Sequence, residues 1–194
     1  WKIISFMNLI IFGPPGAGKG TQADFIVNKY KLYQLSTGEV LRNEIKNKTM
    51  LGKEISSIIN SGSLVSDDIV KKLVEIFISD KKYKDRLIFD GYPRNLIQAK
   101  TLKELLNKYD QKIDLVLKLS VSLETIKKRI LERRTVEKRA DDSEEIAIKR
   151  YKTYEKSTEP VIEYYKKLNL LKVVDGERSI NQINKEISDI ISLI

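Results

Sequence analysis

The densest group of residues able to do chemistry is a glycine-rich segment near the N-terminus. GPPGAGKGT, residues 13–21, lies between a short apolar run and a run with helical periodicity. Glycines allow the backbone to turn its N–H groups inward, and the N-terminus of the following helix adds a positive partial charge. Lys19 is then placed to reach the β and γ phosphates of a nucleotide. The sequence therefore predicts a phosphate-binding loop, with Gly20 where Ser or Thr usually follows the lysine and a hydroxyl one residue later, at Thr21.

A second candidate is the aspartate that ends another apolar run. LIFD, residues 87–90, predicts that Asp90 stands at the carboxyl end of a buried strand. Open α/β sheets bind their ligands at that edge. A carboxylate beside phosphates can hold Mg²⁺ through water molecules, because Mg²⁺ keeps much of its hydration shell. The alternative is that Asp90 only caps the turn before Gly91.

Composition removes several kinds of chemistry. The chain has 194 residues and contains neither cysteine nor histidine. Disulfides, thiol nucleophiles, Ser-His-Asp relays and zinc sites built from Cys or His are therefore excluded. Catalysis must rest on carboxylates, lysines, arginines, hydroxyls, backbone amides and a bound ion or cofactor.

The positive charge has two readings. Lys and Arg number 36 against 27 Asp and Glu, a net charge of +9. Such a balance is found in nucleic-acid-binding proteins, but it also fits a lysine-rich solvated surface, which we favour because the lysines are spread along the chain. Arg133, Arg134 and Arg139 are different: like charges so close in sequence repel unless an anion lies among them.

The elements that must position these residues alternate between strands and helices. Amphipathic runs with helical spacing separate five short apolar runs, which are residues 7–12, 32–35, 86–90, 114–119 and 170–174. This alternation predicts an α/β fold in which helices cover both faces of a five-stranded parallel sheet. Residues 36–65 and 133–142 are helical or charged stretches that interrupt the alternation and are expected to be insertions.

One domain is expected. Residues 7–194 contain no linker, repeat or low-complexity tract, and residues 1–6 precede Met7 as either a non-native leader or an N-terminal extension. The longest apolar stretch is too short and too often interrupted to cross a membrane, which needs about 20 apolar residues. No secretory signal is recognised, and a cytoplasmic location is expected.

Several strings together resemble the adenylate kinase family of nucleoside monophosphate kinases, from about Met7 to the C-terminus. Besides the glycine-rich segment, they are STGEVLR (36–42), GSLVSDD (62–68), DGYPRNLIQ (90–98), RILERR (129–134), RADD (139–142) and VVDGERS (173–179). The resemblance implies a fold like that of the phosphate-loop nucleotide hydrolases, with residues 36–65 as an AMP-binding insertion and residues 133–142 as a short lid. Both segments are expected to close over their nucleotides.

The resemblance also implies an activity and its ligands. The family transfers a phosphoryl group reversibly from MgATP to AMP, which gives two ADP. Mg²⁺ is the implied cofactor, ATP and AMP or ADP are the implied ligands, and a monomer is the family expectation. No membrane or nucleic-acid partner is expected. The lid is of the short form, without the structural zinc of some longer lids.

Site residues are carried over by matching positions. Those implied for catalysis are Lys19, Arg94, Arg133, Arg139 and Arg150. Those implied for ATP binding are Gly16, Ala17, Gly18, Lys19, Gly20, Thr21, Arg133 and Arg178. Those implied for AMP binding are Thr37, Arg42, Ser63, Leu64, Val65, Gly91, Tyr92, Pro93, Arg94, Gln98, Arg139 and Arg150. Asp141 and Asp142 match an acid pair that bridges the closed lid, or they cap the next helix.

Two alternatives to AMP phosphorylation stay open at this point. The nearest is a kinase for another monophosphate, such as UMP or CMP; relatives of that kind usually carry Asn where this chain has Gln98, which favours AMP. The other, suggested only by the net charge, is a nucleotide-dependent nucleic-acid-binding module.

Overall fold

The sheet has five parallel strands, as the alternation of runs predicts. In the computed structural model, which describes residues 6–137 and 143–194, the strands are β1 Leu9–Phe12, β2 Tyr33–Ser36, β3 Leu87–Asp90, β4 Leu115–Ser120 and β5 Leu171–Asp175. Their order across the sheet is β2-β3-β1-β4-β5, and every neighbouring pair is parallel. β1 therefore lies at the centre, between the strand that ends in Asp90 and β4.

Helices cover both faces of this sheet. Within the described residues they are α1 Lys19–Tyr30, α2 Thr37–Lys46, α3 Met50–Asn60, α4 Asp67–Ser79, α5 Leu96–Lys108, α6 Leu123–Glu137, α7 Glu144–Ser157, α8 Glu159–Lys167 and α9 Ile180–Ile191, with a 3₁₀ turn at Lys81–Tyr83. Alternate residues of β1 face opposite sides, because successive side chains of a strand point in opposite directions. Leu9 and Ile11 join one buried cluster, and Ile10 and Phe12 join the other.

Each cluster belongs to its own set of helices. α1 and α9 cover one face with Ile26 and Ile187, whereas α4, α5 and α8 cover the other with side chains such as Val74, Leu102 and Val161. Burial on two sides explains why the strands are apolar runs rather than alternating ones. None of the helices in residues 6–137 and 143–194 combines the length and apolar character needed to cross a bilayer.

β1 begins two residues later than the apolar run 7–12 suggests. The backbone N–H of Asn8 donates to the Asp114 carboxylate (3.0 Å), and the Asn8 side-chain oxygen accepts from the backbone N–H of Leu87 (3.0 Å). Asn8 thus ties the starts of three strands together from just outside β1. A buried asparagine fully used in hydrogen bonds is stable there.

Residues 36–65 form a helical hairpin at the carboxyl edge of the sheet. α2 and α3 cross so closely that a Cβ added to Gly52 would lie 2.0 Å from the Glu44 carbonyl oxygen. Leu41 and Ile55 anchor the two helices in the same buried cluster as α4 and α5. The hairpin therefore forms one wall above the strand ends.

Candidate functional site

The glycine-rich loop connects β1 to α1 in a conformation that needs glycine. Gly16 and Gly18 have φ values of 83° and 92°, a region that side chains with a Cβ disfavour. Lys19 is the first residue of α1, and its Nζ donates to the carbonyl oxygens of Gly13 (2.9 Å) and Pro14 (3.2 Å). The lysine thus folds back over the loop.

The Arg129 side chain connects this loop to the turn that follows the edge strand β5. Its Nη1 donates to the Ala17 carbonyl oxygen (3.2 Å) and its Nη2 to the Gly176 carbonyl oxygen (2.9 Å). Arg129 therefore fixes the positions of α6, the loop and the turn after β5 relative to one another.

Four charged side chains set the electrostatics of Lys19. Burial is the largest influence, and with it the pKa of the Lys19 ammonium falls from 10.5 to about 8. The Asp90 carboxylate opposes this fall, whereas the guanidinium groups of Arg94, Arg150 and Arg133 add to it. Residues 19, 94, 133 and 150 therefore gather positive charge at one place, which an anion would stabilise.

Asp90 occupies the position that the sequence predicts. It ends β3 beside Ile11 of β1, only 8% exposed, and its Oδ2 accepts from Nε2 of Gln34 (3.1 Å). A buried carboxylate with one amide donor and a nearby lysine keeps lone pairs for further partners. Of the residues that the structure describes, none form a cluster of three or more Asp and Glu able to hold a metal ion. A cation here would need water and ligand oxygens to complete its shell.

A cavity opens between these charges and the α2–α3 hairpin. The space between them is about 1040 Å³ when the open solvent at the mouth is included. Ten of the twelve positions matched to AMP binding line it together with Lys19, and these are Thr37, Arg42, Ser63, Leu64, Val65, Gly91, Pro93, Arg94, Gln98 and Arg150.

Two arginines converge at one end of this cavity. A Cβ added to Gly38 would lie 3.2 Å from Nη1 of Arg42 and 3.7 Å from Nη2 of Arg94. The glycine thus leaves room for both guanidinium groups. Nε of Arg94 also donates to the Gly91 carbonyl oxygen (2.7 Å), and the same oxygen accepts from Oγ1 of Thr37 (3.0 Å). Arg94 is therefore held in place by the backbone.

The base-reading candidate, Gln98, is buried and already engaged. Its Oε1 accepts from the backbone N–H of Arg94 (2.7 Å), and its Nε2 donates to Oδ1 of Asp67 (2.7 Å). Asp67 was not predicted as a site residue, because no pattern in the sequence around Asp67 or Gln98 shows that α4 and α5 bring the two together.

Three matched residues occupy other surroundings. Tyr92 is 1% exposed in the core, and its hydroxyl donates to the Gln98 carbonyl oxygen (3.2 Å). Arg178 is exposed and pairs with Asp175 (3.2 Å) and Glu186 (3.1 Å). Arg133 is half-buried on α6.

The remaining predicted site residues belong to the glycine-rich loop and to the lid segment. Gly16, Ala17, Gly18, Gly20 and Thr21 form the loop and the first turn of α1 beside the cavity. Arg139, Asp141 and Asp142 lie outside the described residues, as does half of the segment 133–142.

Tyr154 and Thr158 are among the cavity residues that were not predicted as site residues. Both line the cavity, and Oγ1 of Thr158 donates to the Arg94 carbonyl oxygen (3.0 Å). A signal was available for Tyr154, because it lies four residues after Arg150 and shares its face of α7. Thr158 follows just after that helix ends.

The comparisons with known proteins agree on one family. A family model described as "Adenylate kinase" matches residues 11–170. A protein of Pelagibacter ubique named "Adenylate kinase" is 45% identical over 96% of this chain and 100% of its own length. Proteins of the same name from Prochlorococcus marinus and Archaeoglobus fulgidus are 43% and 38% identical, over 93% and 97% of this chain and 96% and 99% of their own lengths.

These relatives differ in length. The alignment with the Pelagibacter protein runs over 213 positions, more than the 194 residues of this chain, so that protein carries residues that this chain lacks. The alignment with the Prochlorococcus protein runs over only 181 positions.

Two tyrosines of the site give opposite expectations for stability. The Tyr154 hydroxyl is buried without a hydrogen-bond partner in the described part of the chain, whereas the Tyr92 hydroxyl has one. Tyr154→Phe should raise the free energy of unfolding by about 1 kcal/mol, because a buried unsatisfied hydroxyl is removed, and Tyr92→Phe should lower it by a similar amount. Urea unfolding of both variants measures this. Equal losses in the two would show that the Tyr154 hydroxyl is satisfied.

Proposed function

The chain belongs to the adenylate kinase family, and on this premise we propose that Lys19 and the glycine-rich loop hold MgATP while the central cavity holds AMP. The activity is reversible transfer of a phosphoryl group from ATP to AMP. A phosphate oxygen of AMP forms a bond to the γ-phosphorus of ATP while the bond from that phosphorus to the ADP oxygen breaks, so two ADP result. The family model and the named relatives do not favour UMP or CMP as acceptor.

One observation carries the assignment of the site. The charges that act on Lys19 include Arg94 and Arg150, which both line the cavity, and Arg133, which stands on α6. Two polyanions repel one another, by roughly 4 kcal/mol per pair of unit charges at 4 Å and an effective dielectric constant near 20. Cations between them remove that repulsion. Arginine suits this task, because its planar group keeps its charge and binds phosphate oxygens in pairs.

Each matched residue then has a part. Arg42 and Arg94, which converge beside Gly38, hold the AMP phosphate. Arg150 and Arg133 lie against the phosphoryl group in transit, where an arginine can contribute about 10³–10⁵ in rate. The proposal also places Arg139 against the transferring group and the backbone of Arg178 at the ATP adenine. Thr37, Gln98 and residues 63–65 are proposed to lie at the AMP base.

Mg²⁺ is the proposed cofactor. Asp90 fits it as a buried carboxylate at the strand end beside Lys19, acting through water molecules. An ion held there would neutralise part of the charge on the ATP phosphates. Thr21 is exposed in the first turn of α1, so its hydroxyl is a second candidate partner for the ion's water shell.

Residues 36–65 and 133–142 are proposed to close over AMP and ATP, respectively. Closure would exclude water, which competes with AMP for the phosphoryl group. The contacts of Lys149 support this, since its Nζ donates to the Ser61 carbonyl oxygen (2.7 Å) and to Oγ of Ser63 (3.1 Å). The tip of the first segment thus touches the helix that follows the second. The short form of the lid stays a prediction from the resemblance. A monomer in the cytoplasm stays a prediction from the resemblance.

The choice of acceptor is tested by a panel. With MgATP as donor, we expect ADP formation with AMP at a kcat/KM at least tenfold above that with UMP, CMP or GMP, because Gln98 offers the hydrogen bonds that adenine needs. A coupled assay for ADP measures this. ADP formed equally fast without any monophosphate would contradict phosphoryl transfer to a nucleotide, and salt-sensitive binding to DNA or RNA would revive the alternative suggested by the charge.

The lowered pKa of Lys19 predicts that ATP binding takes up protons in a way that depends on pH. A polyphosphate favours the ammonium form and raises the pKa, so ATP binding at pH 8 should take up about half a proton, because the pKa in the free protein is about 8. At pH 6.5 Lys19 is already charged, and its share of the uptake should vanish. Calorimetry in buffers of different ionisation enthalpy measures this number.

The matched pair for that experiment is Lys19→Met and Lys29→Met. Lys29 is an exposed lysine on the same helix, and its Nζ donates to Oγ of Ser188 (2.7 Å). We expect Lys19→Met to abolish the extra uptake at pH 8 and to lower kcat by about 10²–10³, with Lys29→Met unchanged in both. Uptake that persists in Lys19→Met would place the titrating group elsewhere.

Closure is tested by amide hydrogen exchange. Addition of ATP and AMP together should slow exchange in residues 36–65 and 133–142, because ordered contacts protect backbone amides. The helix α9 packs beside α1 in one buried cluster and lies outside both segments, so it serves as the internal reference. Unchanged exchange in both segments would contradict the proposal.

A further inference from the structure

The Gln98 side chain has a fixed orientation at the wall of the cavity. It is 3% exposed and lines the cavity. Oε1 accepts from the backbone N–H of Arg94 at 2.7 Å, and Nε2 donates to Oδ1 of Asp67 at 2.7 Å. Both are short, well-formed hydrogen bonds.

These two partners cannot exchange roles. A backbone N–H only donates, and an ionised carboxylate only accepts. If the Gln98 amide turned over, its NH₂ group would face the Arg94 N–H and its oxygen would face the Asp67 carboxylate. Two hydrogen bonds would be replaced by two repulsive contacts, so the partners decide which end of the amide faces which way.

The Asp67 carboxylate is itself held in position. Nδ2 of Asn95 donates to the same Oδ1 (3.0 Å), and Oδ1 of Asn95 accepts from the backbone N–H of Gln98 (2.8 Å). Asp67 begins α4 and Asn95 caps α5. The first turns of two packed helices therefore form a closed set of hydrogen bonds around the Gln98 amide.

These two hydrogen bonds leave one lone pair on Oε1 of Gln98 and one hydrogen on Nε2 for a ligand. The pairing edge of adenine offers a donor, the 6-amino group, beside an acceptor, N1. The edge of hypoxanthine offers the reverse, an acceptor at O6 beside a donor at N1. An amide fixed in this orientation can satisfy both groups of adenine and neither group of hypoxanthine at the same time.

We propose that Asp67 is a positioning residue for base selectivity, which fixes the Gln98 amide in the orientation that accepts AMP and rejects 6-oxopurine monophosphates. This rests on the proposed placement of AMP in the cavity. Asp67 acts through Gln98 and contacts neither the phosphates nor the reacting atoms. Its loss should therefore change the choice of acceptor rather than the chemical step.

The test compares AMP with inosine monophosphate as acceptors at saturating MgATP. Asp67→Ala removes the acceptor that opposes the turned amide. We expect KM for AMP to rise about tenfold and the ratio of kcat/KM for AMP over inosine monophosphate to fall at least tenfold, because a hydrogen bond to a charged group is lost. KM for MgATP should stay within twofold.

Two further variants separate positioning from general damage. Asp67→Asn keeps an oxygen that can accept from Nε2 of Gln98, and it should recover most of the selectivity. Asp68→Ala removes the neighbouring, exposed acid from the same first turn of α4, and it should leave the ratio within twofold. Thermal unfolding checks that each variant folds. If Asp67→Ala does not fold, Asp67→Ser takes its place, because a hydroxyl tolerates either end of the amide.

The outcomes are distinct. A selectivity ratio that stays within twofold of wild type in Asp67→Ala, or AMP and inosine monophosphate losing activity by the same factor, would overturn the role of Asp67. Wild-type protein that makes no ADP from AMP and MgATP would instead overturn the proposed function. If the ratio fell equally in Asp68→Ala, negative charge in the first turn of α4 would explain the fall, rather than the contact of Asp67 with Gln98. That result would likewise overturn the inference.

Discussion

Crowding of positive charge around a buried lysine is the constraint on which the rest of the structure depends. Lys19 is enclosed by the loop that precedes it, and the guanidinium groups of Arg94, Arg133 and Arg150 lower its pKa while the Asp90 carboxylate raises it. Such an arrangement costs folding free energy in the absence of a ligand, because like charges repel and burial disfavours the ammonium ion. A bound polyphosphate would reverse both effects. Under the proposed function, the charges that weaken the empty protein would also let two anionic nucleotides approach each other.

The fold brings these charges together by the order of its strands. β1 and β3 are neighbours although some 75 residues separate them in the chain, so the glycine-rich loop and Asp90 emerge side by side at the carboxyl edge of the sheet. The arginines reach the same place from α6, α7 and the turn after β3. Two other residues support them: Arg129 donates to the backbone of the loop, and Thr158 donates to the backbone of Arg94. Rigid elements thus carry groups that must be placed within fractions of an ångström.

The sequence predicted those features that depend on residues close together in the chain. The glycines and Lys19 identify the phosphate loop, because only that backbone needs them, and doubly buried strands appear as continuous apolar runs. The resemblance to a family supplied ten of the 23 positions that line the cavity. Long-range pairings could not be read in this way. Asp67 and Gln98 stand 31 residues apart on different helices, and neither residue's surroundings in sequence reveal their contact. The start of β1 was misplaced for the same reason, since Asn8 is bonded to distant residues.

The central claim is that fixed cations hold two nucleotides end to end, and it is tested most directly by a crystal structure with two adenosines joined through a chain of five phosphates. The account predicts that Lys19 leaves the Gly13 and Pro14 carbonyl oxygens for this chain and that the guanidinium groups of Arg94, Arg133 and Arg150 surround the central phosphates. An adenosine in the cavity with its phosphate chain directed away from Lys19, or a lysine still bonded to the loop, would contradict it.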